Sequence, residues 1–251
     1  MQKQNVMMRV FLTVLSFFLP FLAMAQWYPS VDPVGTYYKA DKDGGEESGD
    51  VNGTTQSAPL KVVFQANPSN IEELVTPRYE WKIWNTSTPS DILLQRNEPD
   101  VEYTFVESGT FMAQLKVTFY DTDGGIYSEF PEEGEDAKII SFTISESKLS
   151  FPNAFSPNGD GYNDMLRPKD DYQSIVDFEA CVFNRWGNKL YSWTDITGGW
   201  DGKYRGKTVK DGVYYLVVKA KGADGRDFTI RKTITVLTGY NNGEGASVDN
   251  E

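Results

Sequence analysis

The chain has 251 residues, with 24 Lys and Arg against 36 Asp and Glu, for a formal net charge of −12. That sign opposes broad contact with phosphates, so nucleic acid is not an expected partner. His is absent and Cys181 stands alone, which removes the Ser-His-Asp relay, imidazole metal ligands and any internal disulfide.

The first residues read as a leader. Lys3 and Arg9 supply a basic start, "VFLTVLSFFLPFLAMA" an apolar core, and Ala23-Met24-Ala25 a small-x-small cleavage site before Gln26. The apolar run is short for a membrane span and Pro20 interrupts it, so a signal peptide over 1–25 is expected. With no Cys after the site, a lipoprotein is not expected. No later run has membrane length, so the mature chain is expected to lack a transmembrane helix.

Residues 26–57 read as an acidic, Gly-rich linker. "DKDGGEESGDVNGTTQ" has almost no apolar side chain with which to offset ordering. Beyond it the pattern is short alternating stretches bounded by Gly, Pro, Asn and Asp, the signature of an all-β chain. A first unit is expected over 58–148. In "YEWKIW", Tyr79, Trp81 and Ile83 share one face. In "FMAQLKVTFY", Phe111, Ala113, Leu115, Val117 and Phe119 alternate with Met112, Gln114, Lys116, Thr118 and Tyr120. About six such strands in this length predict a β-sandwich.

"YEWKIWN" followed by "YTFVESGTFMAQLKVTFYDTDG" resembles the PKD type of immunoglobulin-like domain, with its Tyr-x-Trp strand and later Tyr-x-Phe corner. The Gly-Asp-Gly turn usual after the Trp strand is replaced by "NTSTPSD", which marks a divergent relative. The resemblance implies an extracellular spacer or binding module, with Trp81 filling the core.

A second unit is expected over 149–239. "DFEACVF" puts Phe178, Ala180 and Val182 on one face, "NRWGN" and "KDG" supply turns, and "VYYLVV" reads as a strand. Four motifs stand in order along it. They are Phe155-Ser156-Pro157-Asn158-Gly159-Asp160-Gly161 with Asn163-Asp164, then Asn184-Arg185-Trp186-Gly187, Trp200-Asp201-Gly202, and Asp211-Gly212-Val213-Tyr214-Tyr215. Together they resemble the gliding-motility-associated C-terminal domain, the type B sorting domain of the type IX secretion system. This likeness implies a second immunoglobulin-like sandwich and export through the periplasm to the cell surface or medium. The implied partners are the type IX machinery at the outer membrane, with a surface peptidase and envelope polysaccharide as further ones. Relatives of this type usually stop at the last strand; here "YNNGEGASVDNE" continues it, read as a disordered acidic tail over 240–251.

The loop "NGDGYND" has two readings. Asn158, Asp160, Asn163 and Asp164 offer hard oxygen ligands on a Gly-kinked loop, as calcium prefers, but the bidentate Glu of a full calcium loop is missing. Alternatively the Asn and Asp side chains bond their own backbone in Asx-turns while Gly takes positive φ. Arg185 beside Trp186 reads either as a recognition patch or as a Trp packed over its hairpin. Trp193 and Trp200 read either as a sugar-stacking platform or as core. No catalytic residue is expected. The expectation is a non-enzymatic, exported two-sandwich protein acting in adhesion, scaffolding or the secretion apparatus, with glycan binding as the alternative and an Asp/Glu-pair hydrolase set aside for want of a cleft.

Overall fold

Strict two-residue alternation dictates the centre of the first unit. In the computed structural model, which describes residues 28–40 and 45–239, Gly109–Tyr120 is a strand that buries Phe111, Ala113, Leu115, Val117 and Phe119. The expected leader and tail lie outside the described residues. Gly109–Tyr120 pairs antiparallel along Thr76–Asn85, matching Leu115 with Trp81 and Ala113 with Ile83. Its other edge pairs first with Ile139–Ile144 and then with Ile126–Phe130. Ile92–Arg96 and Thr55–Gln56 complete this sheet at its two edges. Facing it is a four-stranded antiparallel sheet in the order Glu46–Asp50, Val34–Ala40, Leu60–Gln65, Asp100–Phe105.

Aromatic rings fill the space between the sheets. Phe64 lies 5.7 Å from Trp81, and Phe105 lies 4.9 Å from Phe142, centroid to centroid. Such pairs add geometric preference to the area they bury. Trp81 is fully enclosed, as the alternation predicts.

The stretch expected as a linker is a correction. Val34–Ala40 and Glu46–Asp50 form a hairpin that joins the four-stranded sheet, and Val31 and Val51 enter the core. These strands need few apolar side chains because their backbones borrow a ladder already anchored by Leu60–Gln65. Gly35 makes the approach feasible, since a Cβ there would come within 2.8 Å of Val51 Cγ1 and 3.3 Å of Phe64.

The second unit is one five-stranded sheet in the order Ala154–Phe155, Asp227–Val236, Gly212–Gly222, Ile175–Phe183, Lys189–Trp193. Only the first pairing is parallel. Its inner face carries Phe178, Ala180, Val182, Leu216, Val218, Ile234 and Val236. The covering layer is less regular than a sheet. Leu149, Phe151, Leu166 and Trp200 close the core from chain held by the bridges Lys148–Gln173 and Leu166–Trp200, beside the hairpin Lys203–Tyr204/Lys207–Thr208. Asn, Asp, Gly and Pro crowd 152–170, and Asp and Gly recur through 194–206; these residues favour turns over ladders. No helix occurs among the described residues. None is therefore long and apolar enough to cross a membrane.

The two cores meet through a polar joint. The turn after Gly212–Gly222 places Ala223 within the first core, where its carbonyl accepts the Ser108 amide at 3.0 Å. Buried Ser174 donates its amide to Ser57 Oγ, while its own Oγ accepts the Ala58 amide and meets Ser145 Oγ. Next to it, Asp224 accepts both the amide and hydroxyl of buried Ser147.

Candidate functional site

The four motifs of the second unit divide by what their side chains touch. One set builds the unit's own frame. Phe155 is buried against Trp200 at 5.5 Å, and the Trp200 indole N–H donates to the Lys203 carbonyl at 2.8 Å. Trp200 and Leu166 exchange amide hydrogen bonds, both at 2.9 Å. Gly202 turns back with φ +73° directly over Pro157, whose Cγ would lie 2.6 Å from a Cβ placed there. The opening loop and the Trp-Asp-Gly turn are thus interlocked. Trp193 is buried too, so neither Trp193 nor Trp200 offers a stacking platform.

The loop between Phe155 and Asp164 is closed by its own acid. Asp164 Oδ1 accepts the amides of Asn158 and Gly159 at 3.0 and 2.7 Å, and Oδ2 accepts that of Gly161 at 2.8 Å. Asn158 Oδ1 accepts the Asp160 amide and Asp160 Oδ1 the Tyr162 amide, both as Asx-turns. Gly159, Gly161 and Asn163 all take positive φ, as this wrap requires. Backbone donation, from Gly159 first and then Gly161, holds the Asp164 carboxyl below the ordinary carboxylate range. The structure therefore brings the four oxygen-bearing residues into one loop, with Asp164 aimed at amides.

That geometry yields a prediction. Asp164→Ala is expected to speed hydrogen exchange at Asn158, Gly159 and Gly161 and to lower the melting temperature. Because the folded carboxyl is depressed, its contribution exists above the ordinary Asp pKa and fades as pH falls through the folded value. A chelator is expected to leave the wild-type transition in place; a fall reversed by calcium would assign the loop to metal instead.

The other set faces outward. Asn184 Oδ1 accepts the amides of Trp186 and Asn188, each at 3.0 Å, and Gly187 takes φ +81° to close the turn. This projects Trp186 into solvent, 71% exposed, rather than packing it over the hairpin. The Arg185 guanidinium lies 4.3 Å from the Trp186 ring centre. Across from them, Asp211, just ahead of Gly212–Gly222, accepts the amide and hydroxyl of Thr238, just past Asp227–Val236. The Thr238 hydroxyl, then its amide, holds that carboxyl low. Between the two turns lies a cavity of about 390 Å³ lined by Arg185, Trp186, Leu190, Tyr204, Val209 and Tyr214 among others. Sequence adjacency signals Arg185 and Trp186. The contributions of Leu190, Tyr204 and Val209 carry no such signal, because the fold alone assembles them.

Other depressed carboxyls have structural causes. Asp195 is lowered by the hydroxyl and then the amide of Thr197, and Asp171 by Lys148. Among the described residues, no group of three or more Cys, Asp or Glu is placed to hold a metal ion.

Comparison with curated proteins finds no match. Solved structures similar to this chain include the following. One is the fibronectin(III)-like modules of Clostridium thermocellum CbhA, at 13% identity and TM-score 0.22, over 78% of this chain and 95% of that one. Another is the tetra-tandem repeat in the extending region of a large adhesion protein, at 9% identity and TM-score 0.27, over 83% and 57%. Dimeric latent PorU from Porphyromonas gingivalis is similar at 13% identity and TM-score 0.24, over 87% of this chain and 21% of that one. Residues 149–234 match the family model of the CHU_C type IX secretion signal domain, a likeness that implies export to the cell surface or extracellular space.

Proposed function

We propose that the protein is a non-enzymatic type IX secretion substrate, in which a PKD-like sandwich serves as an adhesion, scaffold or accessory module and the second unit directs passage through the outer membrane. The observation that carries this reading is the coincidence of the 149–234 match with a separate buried cluster running from Leu149 to Val236. The matched segment thus has its own apolar core, as a portable signal requires. The first unit uses its large rings for packing, with Trp81, Phe64, Phe105, Phe111, Phe119 and Phe142 enclosed, which favours an adhesion, scaffold or accessory module over an aromatic sugar platform. The perturbed carboxyls supply turn closure, which supports a structural rather than a catalytic use of them.

The reading is tested by location. Deleting 149–239 is expected to leave the protein in the periplasm, while the full chain reaches the surface or medium. Recovery of the truncated chain outside the cell would overturn the sorting role.

A further inference from the structure

The cleft between the Asn184–Gly187 turn and the Tyr204–Tyr214 segment combines features that the frame of the domain does not need. We propose that it is a binding site for an acidic peptide segment that inserts an apolar side chain, presented by the export machinery. This deepens the reading above and rests on it.

Charge is the first argument. Between Asn184 and Gly212 stand six basic residues and three acidic ones, a local excess of positive charge in a chain of net charge −12. None of the ion pairs among the described residues involves Arg185, Arg205, Lys207 or Lys210. Arg185 and Arg205 lie over the rings of Trp186 and Tyr204 at 4.3 and 5.2 Å. A guanidinium over a ring face keeps N–H donors available for a carboxylate. Of these four, Arg185 and Lys210 line the cleft itself, and cations outside any ion pair there attract a ligand of the opposite sign.

The floor is the second argument. Leu190, Val209 and Tyr214 pack on the core while still lining the cavity, and Trp186 forms an exposed wall. About 390 Å³ is room for one or two side chains. Exposed Trp, Tyr and Arg around an apolar pocket are the composition of an interaction hot spot.

Hydrogen-bond capacity separates a peptide from a glycan. Sugar hydroxyls need acceptors as well as donors. Two of the acceptors here already have partners: Asn184 Oδ1 takes two amides and Asp211 Oδ1 takes the amide and hydroxyl of Thr238, while the Tyr214 hydroxyl gives its proton to the Lys210 carbonyl at 2.8 Å. What the mouth offers in excess is cationic donors, which match carboxylates.

The test uses the full mature chain and a fluorescent ten-residue Asp/Glu peptide carrying one Leu or Phe. Anisotropy is expected to show binding that weakens with added salt. It is also expected to weaken at least about tenfold on Arg185→Glu, Trp186→Ala and Lys210→Glu combined. Lys219→Glu combined with Arg231→Glu, the same charge change on the exposed sheet face, is expected to leave it unchanged. In cells the combined variant is expected to keep the wild-type melting temperature yet export poorly. Absence of peptide binding by the wild-type chain, equal binding by the combined variant, or stronger binding of polygalacturonate than of the peptide would overturn the proposal. Normal export of the combined variant would also overturn it. If export of that variant is normal while deletion of 149–239 still blocks it, only the cleft assignment falls. If the deletion is exported, the sorting role falls as well.

Discussion

Trp200→Ala is expected to cost the second unit about 3–5 kcal/mol, the range for removing a large ring from a closed core. The ring is 0% exposed and touches Phe155 on one side and Tyr214, at 5.6 Å, on the other. Its indole N–H is bonded to the Lys203 carbonyl and its backbone to Leu166, so one residue ties the opening loop, the covering layer and the central sheet together. Trp200→Phe keeps much of the burial and loses the indole hydrogen bond, and is expected to fall between wild type and Ala. Urea titration of the full mature chain is the measurement, read as a shift in midpoint at constant slope. A loss below about 1 kcal/mol for the Ala variant would mean the core refills easily, and the interlocked frame would be misdescribed. Export is expected to fall with folding for Trp200→Ala. For the cleft variants it is expected to fall without any loss of folding, and this contrast separates frame from recognition surface.

What the sequence reveals follows from where each strand gets its stability. Gly109–Tyr120 and Thr76–Asn85 are legible because each buries its own alternating face, and alternation is written in the residues themselves. Glu46–Asp50 is illegible for the opposite reason. It is an edge strand of small and acidic residues whose order comes from hydrogen bonds to Val34–Ala40, and composition averages hide a backbone partner. The loop around Asp164 is legible as a turn, since Asn, Asp and Gly act on their own neighbours. Trp186 is not legible in the same way. A Trp beside a Gly turn packs or projects according to which surface lies beneath it, and that surface comes from Tyr204–Tyr214, some twenty residues on.

The joint between the two units is equally silent in the sequence, because Ser57 and Ser174 stand 117 positions apart and Ser147 and Asp224 stand 77 apart. It carries the second large prediction. Burial opposes ionisation of Asp224, but the Ser147 hydroxyl and amide, the Arg226 amide and the Arg226 charge outweigh it and hold the carboxyl at about 2. Asp224→Ala leaves the buried Ser147 amide and hydroxyl without their acceptor, which is expected to cost about 1–3 kcal/mol at neutral pH. Since the folded pKa lies below the ordinary value of about 3.9, the wild-type advantage is present above about pH 4. It is lost as pH falls from there towards about 2. Wild-type and variant stabilities are therefore expected to differ at pH 7 and to converge near pH 2. Cooperativity gives an independent reading. Ala223 sits in the first core and its carbonyl binds Ser108, so the wild-type chain is expected to unfold in one calorimetric transition. Asp224→Ala combined with Ser174→Ala is expected to split that transition in two. Two transitions in the wild type, or a pH-independent gap between wild type and Asp224→Ala, would show that the units are joined by chain alone and that the serine-aspartate contacts transmit nothing between them.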